Sequence, residues 1–296
     1  MNYTIKKIDS GIRVEGLDNF RLPHIFENGQ AFRWDKTEED SYIVVASGRV
    51  AEFAMDGDDL IAYNVDEEDF RTIWHHYFNL DQDYEEIKAE LRKTKAYKLN
   101  DSLKEAFDFA TGLRILNQDR FEMIISFIIS ANNRIPQIKK SIGLLSKTYG
   151  DYIGDYKGNA YYAFPKPEQL AYQDPEELKE ITRVGFRNTR IIESARRYLE
   201  EPQAFDDDSL VILKNNLIDL PGVGPKVMDC ILLFGYGVEE TFPVDVWVKR
   251  LMETLYLEEP VSNKKILEHA KDLFGSYLGH AQQYLFYYAR ENAIGK

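Results

Sequence analysis

The stretch Leu220-Pro-Gly-Val-Gly-Pro-Lys-Val-Met-Asp-Cys230 restricts the fold more than any other part of the chain. Two glycines one residue apart permit a sharp backbone reversal, and Pro225 suits a first helical position, where a missing N–H is tolerated. Ahead of the turn, Leu210, Leu213 and Leu217 share one helical face behind a candidate cap at Asp208 or Ser209. Beyond it, Val227, Ile231 and Phe234 form a second apolar stripe. The segment therefore predicts a helix, a tight hairpin and a second helix. Lys226 falls in the first turn of that second helix, one turn before Cys230, and Asp245 in Phe242-Pro-Val-Asp-Val-Trp247 precedes a third.

A glycine turn feeding a helix N-terminus presents N–H groups and the positive end of a dipole, which together bind phosphate. The nucleotide-cradling P-loop needs four residues between its glycines and Ser or Thr after its lysine, and Gly-Val-Gly-Pro-Lys-Val has neither. A clamp on a phosphate backbone fits better. A lysine in a helix's first turn opposes the dipole, so Lys226 is either a surface or phosphate-contacting cation or an amine kept neutral, and hence nucleophilic, by dipole and partial burial. Asp245 is either a helix cap or an ionised carboxylate able to stabilise a cationic sugar transition state. Spacing alone leaves both pairs of readings open.

The rest of the chain divides by hydrophobic period into an α+β arrangement. Up to about residue 65 the pattern is strand-like, with turns at Ser47-Gly48 and Asp56-Gly-Asp-Asp59 and an Asn28-Gly29 turn leading into Ala31-Phe-Arg-Trp34. From Glu67 the period becomes helical, with Phe70, Ile73, Trp74 and Tyr77 on one face and a short helix over Tyr84 to Leu91. Lys93 to Asp101 reads as a connection, and beyond it only helices are expected. These include a fully buried one at Phe121–Ser130, ending in the polar loop Asn132-Asn-Arg-Ile-Pro136, and others over 138–149, 167–172, 176–181, 188–200 and 276–292. The expected domains are an antiparallel sheet domain over 1–98 and an all-helical domain over 99–296.

The net charge of −13 opposes broad nucleic-acid binding, so any polyanion site must be local, built from backbone amides and a few cations. A single cysteine excludes an intramolecular disulfide and any four-cysteine zinc or iron-sulfur site. Five scattered histidines offer no metal cluster, and no metal or organic cofactor is expected. No apolar run is long enough to span a bilayer and the N-terminus lacks a signal-peptide pattern, which predicts no membrane association and a cytoplasmic location.

Leu220-Pro-Gly-Val-Gly-Pro-Lys226 with Pro243-Val-Asp245 resembles the helix-hairpin-helix DNA glycosylase superfamily, and in detail its 8-oxoguanine DNA glycosylase/AP lyase branch. Gly29-Gln-Ala-Phe-Arg-Trp34, Tyr77-Phe-Asn-Leu-Asp81, Ser126-Phe-Ile-Ile-Ser-Ala-Asn-Asn133, Gly185-Phe-Arg187 and Gly279-His-Ala-Gln282 follow in the family's order, so the resemblance covers nearly the whole chain. It implies a bacterial enzyme acting as a monomer on double-stranded DNA containing 8-oxoguanine, excising the base in base excision repair. Lys226 would attack C1′ of the damaged nucleotide and form a Schiff base, with Asp245 stabilising the developing charge. The base would first be flipped out of the stack. Cys230 and Phe286 would flank it, and Gln282 would read its Watson–Crick edge. Gly29 would offer a backbone carbonyl to N7, which in the oxidised base is an N–H donor rather than an acceptor. Asn132 would fill the vacated space. Gln137, Phe186, Arg187 and Trp247, with Gly222, Gly224 and Val227 of the hairpin, would contact DNA.

Three positions depart from the better-known members. Gln137 stands where an arginine reads the opposite cytosine, Phe186 where a tyrosine wedge is usual, and Trp247 where a phosphate-contacting histidine is expected. Glutamine lacks arginine's bidentate cationic fork, so weak discrimination for cytosine opposite the lesion is expected. Two rivals weigh against this reading. A glycosylase for another damaged base belongs to the same superfamily, but the endonuclease III type needs the four cysteines and alkyladenine enzymes usually lack the lysine. A non-catalytic helix-hairpin-helix module explains the clamp and leaves Lys226, Asp245 and the Gly29 segment without a task.

Overall fold

The computed structural model describes residues 3–257 and 259–294. Strands β1 (Thr4–Ile8), β2 (Gly11–Glu15), β3 (Trp34–Lys36), β4 (Tyr42–Ala46), β5 (Arg49–Asp56) and β6 (Asp59–Tyr63) form one antiparallel sheet in the order β1-β2-β6-β5-β4-β3. The expected turns at Ser47-Gly48 and before Asp59 connect β4 to β5 and β5 to β6. A short helix, α1 (Leu22–Phe26), interrupts the strand region, so the Asn28-Gly29 turn follows a helix and is not a hairpin between strands. Pro23 in its first turn, with Leu22, Ile25 and Phe26 buried, accounts for it.

From Glu67 to Tyr77 the chain is helical, with a π-helical turn at Phe70–Trp74 that buries Phe70 and Trp74. Next come α2 (Tyr84–Lys93), α3 (Ser102–Phe109), α4 (Arg120–Ser130) and α5 (Ile135–Tyr149). The stretch expected to be a plain connection holds a further helical turn, Lys95–Leu99, because Ala96 packs into the core. Beyond α5 the expectation of helices alone fails once: β7 (Tyr152–Tyr156) and β8 (Asn159–Tyr162) form a two-stranded hairpin. Its aromatic residues alternate too briefly to stand out in the sequence. The chain continues with α6 (Pro175–Thr182), α7 (Asn188–Glu200), α8 (Leu210–Ile218), α9 (Pro225–Tyr236), α10 (Val246–Met252), α11 (Asn263–Phe274) and α12 (Leu278–Glu291). No helix among the described residues is long and apolar enough to cross a membrane.

The chain forms two discontinuous compact units. The first takes residues through Gln30, Ala54–Asn117 and Leu232 onward; its core packs Tyr84, Leu91 and Phe107 with Phe242, Met252, Phe274 and Tyr284. The second takes Ala31–Phe53 and Gln118–Ile231, and α4 lies at its centre, with every residue from Phe121 to Ile129 buried except Glu122. Asp119 caps α4 by accepting from the Glu122 amide at 2.8 Å. In the second unit, Glu52 on β5 is 2% exposed and accepts from Ser41 Oγ at 2.5 Å, Tyr156 OH at 2.6 Å and Lys157 Nζ at 2.8 Å. The bonds from Tyr156 and Lys157 secure the β7–β8 hairpin to the sheet, and all three offset the cost of burying a carboxylate.

Candidate active site and DNA-contacting surface

In the second unit, α8 and α9 flank the predicted turn. Ser209 occupies the N-cap position of α8, although its side chain makes no capping bond. The Leu220 amide donates to Leu217 and the Val223 amide to Leu220, at 3.1 Å each, and these bonds close the reversal. Gly222 has φ +89°, a conformation that favours glycine, and a Cβ there would lie 2.7 Å from Arg190 Cδ, so that side chain would have to shift. A Cβ at Gly224 would meet nothing within 4 Å, which leaves that side of the turn open. Val227 and Cys230 are buried on α9, while Lys226 is half-buried with its ammonium 5.6 Å from the centroid of the Phe127 ring. Phe127 thus gives the lysine an apolar, electron-rich neighbour that sequence spacing did not reveal.

The same unit carries the loop after α4. Asn132 is exposed with φ +52°, a left-handed conformation that asparagine tolerates better than most residues. Arg187 supports it: its guanidinium donates to the carbonyls of Ala131, Asn132 (3.3 Å) and Val184 (3.1 Å). Arg187 is 6% exposed, with Nε buried and unpartnered. In this structure it anchors the Asn132 loop, a task invisible in the sequence. Phe186 is 56% exposed, and its ring is flanked by Arg187 and Arg190 at 4.3 and 5.1 Å. Gln137 lies exposed on α5, its Nε2 3.4 Å from Ser141 Oγ, and lines a small concavity with Asn132, Asn133 and Arg134.

The first unit carries Gly29, Asp245, Trp247, Gln282 and Phe286. Asp245 is the N-cap of α10, its Oδ1 accepting from the Val248 amide at 2.8 Å, so the structural reading of this residue holds. Trp247 is half-buried, with the Arg250 guanidinium 5.9 Å from its ring. Gln282, 5% exposed on α12, donates from Nε2 to the Pro243 carbonyl at 3.4 Å, while its Oε1 is buried without a partner. Phe286, one turn on, is partly buried with Arg290 at 5.6 Å from its ring. A buried acceptor left unsatisfied costs about 1–3 kcal/mol, a cost that a ligand donor would remove.

Gly29 has φ +88°, so its carbonyl is oriented by a backbone conformation that only glycine adopts readily. Two neighbours with no assigned role in the sequence reading fix it there. Gln30, fully buried, donates to the carbonyls of Ile25 (2.8 Å) and Arg114 (2.7 Å) and accepts from the Leu116 amide (2.9 Å), while Asn28 accepts from the Gln30 amide. Arg114 is itself fully buried and donates to four carbonyls, those of Asp18, Phe78, Asn79 and Gln82, with the Tyr84 ring 4.3 Å below. A polar Gln30 directly before apolar Ala31-Phe32 was the available signal: a buried amide needs partners. Nearby on α12, His280 is buried and its pKa is pushed down to about 3 by desolvation and by Arg114. It is therefore neutral, with Nε2 3.3 Å from Gln82 Oε1.

The second unit thus presents a glycine-turned hairpin before a half-buried lysine, and the first presents a capping aspartate after Pro243 and a buried glutamine with an unsatisfied oxygen. Residues 14–124 match the 8-oxoguanine DNA glycosylase N-terminal domain and residues 125–275 match the HhH-GPD superfamily of base excision DNA repair proteins, and the chain belongs to that superfamily. Among solved structures it is similar to MBOgg1 in complex with a low affinity DNA ligand, at 43% identity and TM-score 0.92, covering 99% of this chain and 100% of that one. It is likewise similar to the Clostridium acetobutylicum 8-oxoguanine glycosylase/lyase in complex with dsDNA containing cytosine opposite to 8-oxoG, at 42% identity and TM-score 0.91, over 99% and 100% of the two chains. A probable N-glycosylase/DNA lyase of Methanothermobacter thermautotrophicus is 29% identical over 230 residues, 71% of this chain and 73% of the relative. Among the described residues no cluster of histidine, cysteine and carboxylate side chains could hold a metal ion.

Proposed function

We propose that the chain is a bifunctional glycosylase/AP lyase that removes 8-oxoguanine from duplex DNA. Lys226, as the neutral amine, attacks C1′ of the flipped nucleotide; the C1′–N9 bond breaks and the base leaves, its N9 taking the proton that the attacking nitrogen sheds. The sugar ring opens to an imine, a proton is lost from C2′, and the 3′ phosphate departs by β-elimination. Asp245 contributes a fixed negative charge that stabilises the cationic sugar before the C–N bond to lysine is complete. Cys230 and Phe286 supply apolar contact to the base. Gly29 offers its carbonyl to N7–H, and Gln282 offers Oε1 to a donor on the Watson–Crick edge. Asn132 occupies the emptied stack, the exposed ring of Phe186 wedges beside it, and the hairpin from Gly222 through Val227, with Trp247, carries the phosphate contacts.

The observation that carries this reading is Gln282: its amide nitrogen is held by the Pro243 carbonyl, which leaves the buried oxygen as an acceptor awaiting a ligand. Undamaged guanine and 8-oxoguanine share that edge, so selection falls to Gly29, whose carbonyl meets an N–H only in the lesion. Borohydride trapping on duplexes containing 8-oxoguanine or guanine tests the proposal. A covalent adduct with the damaged duplex, absent with guanine and lost in Lys226→Gln, is expected. An undiminished adduct in that variant would overturn the lysine assignment.

A further inference from the structure

The second unit has a groove of about 700 Å³ that none of the chemistry above uses. Its floor is Ile43 and Val45 on β4, its walls are α5 and the β8 residues Tyr161 and Tyr162, and Ile135 and Pro136 close one end. The hairpin wall is held in place. The Arg33 guanidinium donates to the Tyr162 carbonyl, and the bonds from Tyr156 and Lys157 to Glu52 secure the hairpin, so this wall leaves little ordering for a ligand to impose.

Three further features point to an occupant. Gly143 lies in the middle of α5, facing the groove, and a Cβ there would meet nothing within 4 Å. Helix interiors disfavour glycine, and here no packing neighbour demands one, so the open space is what the residue provides. Ser146, 4% exposed and also lining the groove, has a buried Oγ without a partner. Lys140 and Lys147 stand exposed seven residues apart on the same face of α5, on either side of Gly143. On a chain of net charge −13, Lys140 and Lys147 give this edge a local positive charge, since Lys139 pairs with Asp35 at 3.7 Å and Arg33 with Glu122 at 3.5 Å.

We propose that this groove docks an extended acidic segment of a partner protein carrying one large apolar side chain. The apolar floor takes the side chain, Lys140 and Lys147 face the flanking carboxylates, Gly143 admits the backbone, and Ser146 Oγ is a hydrogen-bonding partner. Single-stranded DNA fits less well. The Trp34 face is already covered by the Lys139 ammonium at 3.6 Å, so it offers no stacking platform, and the aliphatic floor has no use for phosphates.

Fluorescence anisotropy on the full chain tests this with a labelled dodecapeptide of aspartate and serine bearing one central phenylalanine. Its partners are the same peptide with alanine at the centre and an oligothymidylate competitor. The phenylalanine peptide is expected to bind about tenfold tighter than the alanine one, with affinity falling as salt rises. Lys140→Glu with Lys147→Glu should weaken it about tenfold, and Gly143→Leu should weaken it comparably by filling the groove. Gly143→Leu should melt no lower than the wild type, which separates blocking from unfolding. Borohydride trapping of 8-oxoguanine DNA should be unchanged throughout. Equal binding of the two peptides, displacement by oligothymidylate at lower concentration than by peptide, or undiminished binding in the charge-reversed chain would overturn the proposal.

Discussion

Asp245 is the residue whose structural and chemical readings most need separating, because the cap is now observed and the proposed catalytic role is not. Asp245→Asn does so. Asparagine caps helices about as well as aspartate, so the bond to the Val248 amide at 2.8 Å survives and only the charge is lost. Removing that charge from the N-terminus of α10 costs about 0.3–1 kcal/mol, which for a chain of this size lowers the melting temperature by a few degrees at most. Asp245→Ala removes the cap as well, for about 0.5–2 kcal/mol. The chemical step responds on a different scale. A carboxylate about 4 Å from a developing unit charge, at an effective dielectric constant near 20, is worth about 4 kcal/mol, close to a thousandfold in rate. Single-turnover excision of 8-oxoguanine under enzyme excess measures that step, and a thermal melt of the same preparations measures the cap. The expectation is that Asp245→Asn melts nearly as the wild type yet excises about a thousandfold more slowly. If it retains excision within about tenfold, Asp245 is a helix cap only and the electrostatic argument fails.

Gly29→Ala forces φ +88° on a residue with a Cβ, at a cost of about 1–2 kcal/mol, and should blunt the preference for 8-oxoguanine over guanine more than it slows cleavage of abasic sites. Competition between the two duplexes reads this. Gln137 is exposed and bonds only weakly to Ser141, so the wild type should cleave 8-oxoguanine opposite the four bases at similar rates. Gln137→Arg should raise the preference for cytosine by about tenfold, and a strong cytosine preference in the wild type would refute the premise. His280 titrates near 6.5 when unfolded but only at about 3 when folded, so the unfolded chain binds a proton that the folded chain refuses. Its contribution is at its maximum above pH 6.5 and falls by about 1.4 kcal/mol per pH unit from there towards about 3, and His280→Gln should flatten that part of the stability profile in denaturant titrations.

What the sequence disclosed and what it hid follow from the range of the interactions concerned. The hairpin at Gly222, the turns flanking β5 and the helix over Asn188–Glu200 depend on local rules of backbone conformation and apolar period, and all were legible. The β7–β8 hairpin was not, because it depends on Glu52, about a hundred residues earlier in the chain, accepting from Tyr156 and Lys157. The same division runs through the site. Gly29 was identifiable as a glycine needed at a turn, but the network that aims its carbonyl, from Gln30 to Arg114 to the carbonyls around Asn79, is assembled over nearly a hundred residues. Arg187 shows a task that the residue type alone does not disclose: its guanidinium is spent on loop carbonyls that keep Asn132 in a left-handed conformation. Asp245 resolves in a third way. The cap and the catalytic reading were posed as alternatives, yet a cap that engages Oδ1 fixes the orientation of the carboxylate without consuming its charge. A preorganised charge is what electrostatic stabilisation of a transition state requires, so the observed cap and the proposed catalytic role call for the same fixed carboxylate.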